Sequence, residues 1–348
     1  MSVSSVRSFG ILALISLTLL LCAPSASRAQ SQFDLGFGTD LSIEFSPEHP
    51  APKEVVRIQA RSTTIDLPGA VLLWVVDGET ITEGAGADTV TVTAGPLGSE
   101  TSIVLTVFEN GVERTSAQAY IRPVELDLLW EADSYTPPFF RGRALPSAGT
   151  TLRLEARPRF QRVDGSLIST GDIIFTWRRN GYVIPGTSGR GKTSVVIEGP
   201  SLFGTDTISV EAKSTDELYE SVASTRIAST EPHLALYQNH PVFGIAYHQA
   251  LGAENRISET EASFSAVPYF ADAHHPDSGD LLYEWRVNGT QIGNNAQRPS
   301  AITINAAGSA GTASVTLALT HISNFFLSAS GSWGLAFFGG VTPFDTSF

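Results

Sequence analysis

The stretch LLYEWRVNG, residues 281–289, sets a tryptophan in an apolar, strand-like run and follows it with an Asn-Gly pair. The same shape occurs twice more, as LLWVVDG at 72–78 and FTWRRNG at 175–181. Trp74, Trp177 and Trp285 are spaced by 103 and 108 residues. That is the length of one β-sandwich domain per repeat. Asp77-Gly78, Asn180-Gly181 and Asn288-Gly289 tolerate positive φ, so each is expected to close a tight turn between antiparallel strands.

The flanks repeat as well. An alternating strand precedes each tryptophan: VVRIQA (55–60), TLRLEA (151–156) and EASFSA (261–266). After each turn comes another strand, TVTVTA (89–94), SVVIEG (194–199) or AITINA (301–306). A glycine-rich turn and a last alternating strand follow: SIVLTVF (102–108), TISVEA (207–212) and ASVTLAL (313–319). Trp74, Trp177 and Trp285 are therefore expected to plug the cores between two sheets, since one tryptophan buries a large area in a single residue. No amphipathic run of helical period extends beyond about one turn.

The W-x-x-[DN]-G unit with its flanking strands and glycine turns resembles immunoglobulin-like modules of the PKD type. A second pair of segments adds to it. LDLLWEADSYTPPFFRGRAL (126–145) and HLALYQNHPVFGIAYHQAL (233–251) both run strand, aromatic, Pro-containing bend, Gly, then Ala-Leu. Together these features resemble exported surface proteins of candidate-phyla bacteria built from tandem immunoglobulin-like domains. The resemblance implies a cell-surface or envelope location and implies no activity. The fold class expected is all-β, three tandem antiparallel β-sandwich domains, at 40–123, 124–230 and 231–348, after a flexible lead at 30–39.

Residues 1–29 read as a secretory signal peptide. Arg7 is the only charge before the apolar run Phe9–Cys22, which is short of the roughly 20 residues a membrane span needs. Ser27 and Ala29 are placed for cleavage before Gln30. The alternative is a retained N-terminal anchor. Cys22 is the single cysteine of the chain and leaves with the leader, so no disulfide is expected. The chain of 348 residues less these 29 leaves 319, enough for two or three domains. Removing Arg7 and Arg28 leaves 20 Lys and Arg against 35 Asp and Glu, a net charge of −15. With no basic run to track phosphates, nucleic acid is not an expected partner.

Three stretches invite chemistry. GTSGRGKT (186–193) matches the phosphate-loop pattern G-x-x-x-x-G-K-[ST] residue for residue. A true site follows a strand and opens a helix, whose N-terminus helps hold the phosphate. Here TSVVIEG follows, which is a strand, so a mobile basic loop tip carrying Arg190 and Lys192 is expected and a nucleotide is not. ADAHHPDSGD (271–280) crowds Asp272, His274, His275, Asp277 and Asp280 into one loop. Carboxylates suit Ca²⁺ and imidazoles suit Zn²⁺, but the spacing matches no standard loop, so a solvated turn is favoured over a metal site. The two aromatic bends offer Trp130, Tyr135, Phe139 and Phe140 at one junction, and Tyr237, Phe243 and Tyr247 at the other. They serve either to wedge neighbouring modules into a fixed angle or to bind a protein or glycan.

No G-x-S-x-G or H-E-x-x-H is present, and no cofactor site is expected. The function expected is non-enzymatic: a multi-module spacer that binds other envelope or surface proteins in adhesion or assembly. The alternative is a carbohydrate-binding accessory of a secreted system. The apolar tail FFLSASGSWGLAFFGG (325–340) is expected to complete the third sandwich with Trp333 turned inward, the other choice being a docking segment.

Overall fold

The computed structural model describes residues 40–307 and 311–338. The expected leader (1–29) and lead segment (30–39) lie outside the described residues, as does the chain from 339 onward. Apart from one turn of 3-10 helix at Thr170–Asp172, the regular structure of the described residues is all strand.

The first repeat runs β1 (Ser42–Ser46), β2 (Val55–Arg61), β3 (Val71–Val76), β4 (Glu79–Ala85), β5 (Thr89–Thr93), β6 (Thr101–Glu109) and β7 (Val112–Ile121). Its sheets are β1-β2-β5 and β4-β3-β6-β7. The second runs β8 (Glu125–Ala132), β9 (Thr151–Arg159), β10 (Ile173–Arg179), β11 (Tyr182–Val183), β12 (Gly189–Arg190), β13 (Ser194–Glu198), β14 (Thr205–Ser214) and β15 (Glu220–Ala228). It repeats the plan as β8-β9-β13 and β11-β10-β14-β15, with β12 also on β10. The third runs β16 (His233–His240), β17 (Gly244–Ala250), β18 (Glu254–Ile257), β19 (Glu261–Tyr269), β20 (Leu281–Val287), β21 (Thr290–Ile292), β22 (Ala301–Asn305), β23 (Gly311–His321) and β24 (Ser328–Phe337). Its sheets are β17-β16-β19-β22 and β18-β24-β23-β20-β21. This two-sheet order is that of an immunoglobulin-like sandwich, repeated three times.

The alternation of apolar residues explains the layers. β3 and β6 bury every second side chain, as period-two strands do when one face meets a core. Three cores result, one per repeat, spanning Leu41 to Ile121, Val124 to Ile227 and Leu234 to Phe337. Trp74, Trp177 and Trp285 are 0%, 0% and 1% exposed at their centres.

A buried indole N–H needs an acceptor. Each tryptophan finds one at the same place: Trp74 Nε1 donates to Ala87 O (2.7 Å), Trp177 Nε1 to Lys192 O (2.8 Å) and Trp285 Nε1 to Pro299 O (2.9 Å). Each acceptor stands just before the edge strand β5, β13 or β22, so the bond ties the two sheets together. The turn residues repeat too. Asp77, Asn180 and Asn288 sit at φ 51°, 52° and 51°, each followed by a glycine at positive φ. Their side chains accept from the backbone N–H of Ser102 (2.8 Å), Thr207 (2.8 Å) and Ser314 (2.9 Å). The turn thus locks onto the neighbouring strand as well as reversing the chain.

The third repeat departs from a purely antiparallel plan. β24 pairs antiparallel with β23 along its length, and its end pairs in parallel with β18, Glu254 to Ile257 against Gly334 to Phe337. Trp333, within this tail, is buried. The two segments that look alike in sequence also differ. After β8 the chain leaves the sheet for residues 133–150, whereas after β16 it turns back at once as β17.

Candidate functional site

The segment 133–150 forms a strap from the second repeat onto the third. Pro137 and Pro138 cannot donate to a ladder, so the chain does not continue as sheet. Instead Tyr135 N donates to Ala271 O (2.8 Å), and Phe270 N donates to Tyr135 O (2.7 Å). This two-bond bridge lays the Tyr135 side chain on the outer face of β16 and β19, where it is 8% exposed among Ala235, Tyr237 and Val267. Phe140 follows, edge-on to Tyr269 (5.8 Å, 70°) and to Phe270 (5.9 Å, 71°), in the geometry aromatic quadrupoles favour. Tyr237 and Tyr247 pack at 5.6 Å, and the Tyr237 and Tyr269 hydroxyls bond at 2.7 Å.

More polar ties flank the aromatic cluster. Asn324 Nδ2 donates to Ala148 O (2.6 Å), and Thr230 N donates to Pro146 O (2.7 Å). His274 Nδ1 lies 3.3 Å from Asp133 Oδ1. Gly149 sits at φ +80°, and a Cβ there would come 3.1 Å from Asn324 Nδ2. The joint between the first and second repeats is leaner. It has the three-residue link 122–124, a contact of His49 Nε2 with Glu220 Oε1 at 3.9 Å, and a close approach of Gly98 to Gln161.

Burial of the cluster sets its electrostatics. Burial, aided by the neighbouring Tyr247, pushes the Tyr135 phenol up to about 12. Burial is also the largest cause that raises Tyr247 and Tyr269. Phenols raised in this way stay protonated at neutral pH, so they supply hydrogen bonds and apolar area and no charge.

The aromatic residues singled out in the sequence therefore divide. Tyr135 and Tyr237 are buried inside the joint, and Tyr247 and Phe140 are packed onto it. Their rings pack on one another across the joint, the arrangement of a module wedge, while Phe140 keeps 37% of its surface exposed. Trp130 lies on the inward side of the edge strand β8, half-buried, with the Arg143 guanidinium 4.4 Å over its ring. Only Phe139, 91% exposed at φ 67°, and Phe243, 85% exposed, face outward freely. Phe243 stacks on His240 at 4.7 Å, in the turn between β16 and β17. Sequence reasoning missed Tyr269 and Phe270, the other half of the joint. Tyr269 ends β19 and Phe270 follows it in a turn at φ 62°, and no spacing marks either.

The acidic loop is spread out by its hydrogen bonds. Asp277 Oδ1 accepts from Ser300 N (3.0 Å) and Ser300 Oγ (2.6 Å), and Asp280 accepts from Ser278 Oγ (3.1 Å). His275 Nδ1 accepts from Asp277 N (3.1 Å), and His274 turns to Asp133. Burial raises the Asp272 carboxyl, with His321 opposing. Among the described residues no three His, Cys, Asp or Glu side chains converge as a metal needs.

The segment 186–193 is tied down by hydrogen bonds at several points. Ser188 Oγ accepts from Trp177 N (2.9 Å), Lys192 O serves the Trp177 indole, and Arg190 pairs with Asp172 at 2.5 Å. The strand β13 follows, so no helix N-terminus stands behind the loop. The outer face of β8, β9 and β13 holds a groove of about 560 Å³ among Leu129, Arg153, Glu155, Arg157 and Val196. No helix among the described residues is long and apolar enough to cross a membrane.

No protein-family model matches the chain, and no curated protein matches it. Solved structures similar to it are tandem β-modules. The three N-terminal domains of the bacteriophage RB49 highly immunogenic outer capsid protein align over 87% of this chain and 99% of that one, at 14% identity and TM-score 0.24. Fibronectin(III)-like modules of Clostridium thermocellum CbhA align over 54% of this chain and 94% of that one, at 14% identity and TM-score 0.26. The Bacteroides ovatus mixed-linkage glucan utilization protein SGBP-B, solved with a heptasaccharide, aligns over 89% of this chain and 72% of that one, at 12% identity and TM-score 0.22. At this level of likeness neither an activity nor a ligand transfers.

Proposed function

We propose that this chain is an exported, non-enzymatic spacer and protein-binding element of a cell surface or envelope, acting in adhesion or assembly. The observation that carries the proposal is the strap joint. A chain that only tethers needs no buried contact between modules. Here Tyr135 crosses from one sandwich to the next and is covered on arrival. Such a joint holds a set reach and leaves loops and sheet edges to meet other proteins. Export is supported by the N-terminal pattern of Arg7, the apolar run Phe9–Cys22 and the small residues before Gln30. The acidic balance of the rest of the chain fits a soluble, weakly sticking surface.

The test is cross-linking in intact producing cells, followed by fractionation and identification of the adducts. Recovery in the envelope, joined to a few specific proteins, is expected. Free protein in the medium without protein adducts would overturn the proposal. The groove on the second repeat favours one other reading, glycan binding, and that reading instead requires saturable sugar binding lost in Arg153→Ala or Arg157→Ala.

A further inference from the structure

We propose that the free edge of β13 pairs with the same edge of a second copy of this chain, joining two three-stranded sheets into one. The reasoning starts from which backbone groups of β13 are used. Ala156 N donates to Thr193 O (2.8 Å), and Gly199 N donates to Thr150 O (2.8 Å). In an antiparallel ladder, residues that exchange bonds with a partner strand alternate with residues that do not. So Thr193, Val195, Ile197 and Gly199 turn their backbone groups toward β9. Ser194, Val196 and Glu198 turn theirs outward, where β13 has no strand neighbour, although Glu198 O already accepts from Arg179 Nη1 (3.1 Å).

Exposed edges usually carry a guard: a lysine or proline in the strand, or a bulge. β4 and β17 pair through irregular registers. β13 reads SVVIE, pairs in an unbroken register with β9, and exposes Val196 at 59%. An outward backbone row in extended conformation is matched by another extended strand, and the charges name which one. Lys192 stands on the N-terminal side and Glu198 at the C-terminal end, both exposed. Neither side chain has an ion-pair partner among the described residues.

A two-fold axis through Val196 makes this edge its own complement. It sets Val196 opposite Val196 of the second copy and Ser194 opposite Glu198 of the second copy. All three are the outward-turned residues, so the opposed Val196 residues exchange both backbone bonds, and Glu198 N donates to Ser194 O of the second copy while Glu198 O keeps its bond to Arg179. Val195 and Ile197 continue the apolar inner face across the seam. Lys192 of each copy comes diagonally toward Glu198 of the other, within reach of two long side chains. The equivalent edges lack this pattern. β5 has only Asp88 near it and β22 only Arg298, so self-pairing gains no opposite charges there. The proposal does not depend on the spacer role.

Sedimentation velocity of the purified exported protein over a concentration series reads the outcome. Val196→Pro removes one outward N–H and leaves the bonds to β9 in place. It should leave monomer only, with an unchanged circular dichroism spectrum and melting temperature. Glu198→Lys should weaken the dimer by about tenfold, because two symmetric cross-strand pairs turn from attraction to repulsion. Lys192→Glu with Glu198→Lys should restore it. A wild-type chain that stays monomeric at every concentration would overturn the proposal. So would a dimer that survives V196P, or an E198K defect that the double exchange does not repair.

Discussion

Trp177 shows how much one residue decides. Its ring fills the centre of a core, and its N–H ties that core to the carbonyl of Lys192, across the sandwich. Trp177→Ala should cost about 3–5 kcal/mol in urea unfolding, the range for removing a large buried aromatic. Trp177→Phe keeps much of the volume and strands the carbonyl, so about 1–3 kcal/mol is expected. The tryptophan and its turn were legible in the sequence because both rest on local chemistry, a strand-borne indole followed by a residue that tolerates positive φ. The acceptor was not legible. Lys192 lies 15 positions on, in a segment whose glycines spell a phosphate loop, and only the sandwich brings its carbonyl under the indole. Asn180 gives a second residue-scale test. Its side chain receives Thr207 N (2.8 Å) and donates to Asp206 (2.7 Å) while its backbone sits at φ 52°. Asn180→Ala loses both bonds and the tolerance for that φ, and a loss of about 1–2 kcal/mol in the same measurement is expected.

At the scale of elements, the strap is the part of the fold on which the proposed spacer role rests. Its apolar half depends on neutral phenols, which gives it a pH limit. The Tyr135 phenol is raised from 10.0 to about 12, so the folded joint favours the protonated form. That stabilisation is complete below the unfolded value near 10 and is lost as pH climbs through 12. Amide exchange at Tyr135 and Phe270 should therefore accelerate between pH 10 and 12 beyond the intrinsic rate, and Tyr135→Phe should delay this. β2, β6 and β14 were readable by alternation, and β3 and β10 by the apolar run that carries the tryptophan. β4, β7, β11 and β21 were not, because they lie at sheet edges with most side chains exposed; β4, β7 and β21 are rich in Thr, Glu and Gln, and β11 is only Tyr182–Val183. The likeness of 126–145 and 233–251 is one of composition. One stretch meets a neighbouring module and crosses it as an irregular strap, and the other closes on its own sheet as β17.

For the whole molecule, the contrast lies between its two joints. The first has a short link and a long polar contact, His49 to Glu220 at 3.9 Å, which in water contributes little. The second has two inter-module backbone bonds, the Asn324 contact and a buried aromatic cluster. The second and third repeats should therefore move as one body, while the first turns more freely. Because the only cysteine is Cys22, in the expected leader, paired cysteines can be introduced for dyes without background labelling. The most direct measurement is single-molecule energy transfer between dyes on the second and third repeats, in the wild type and in Tyr135→Ala. A locked joint predicts one narrow distance distribution that broadens when Tyr135 is truncated. A wild-type distribution as broad as that of the variant would contradict it.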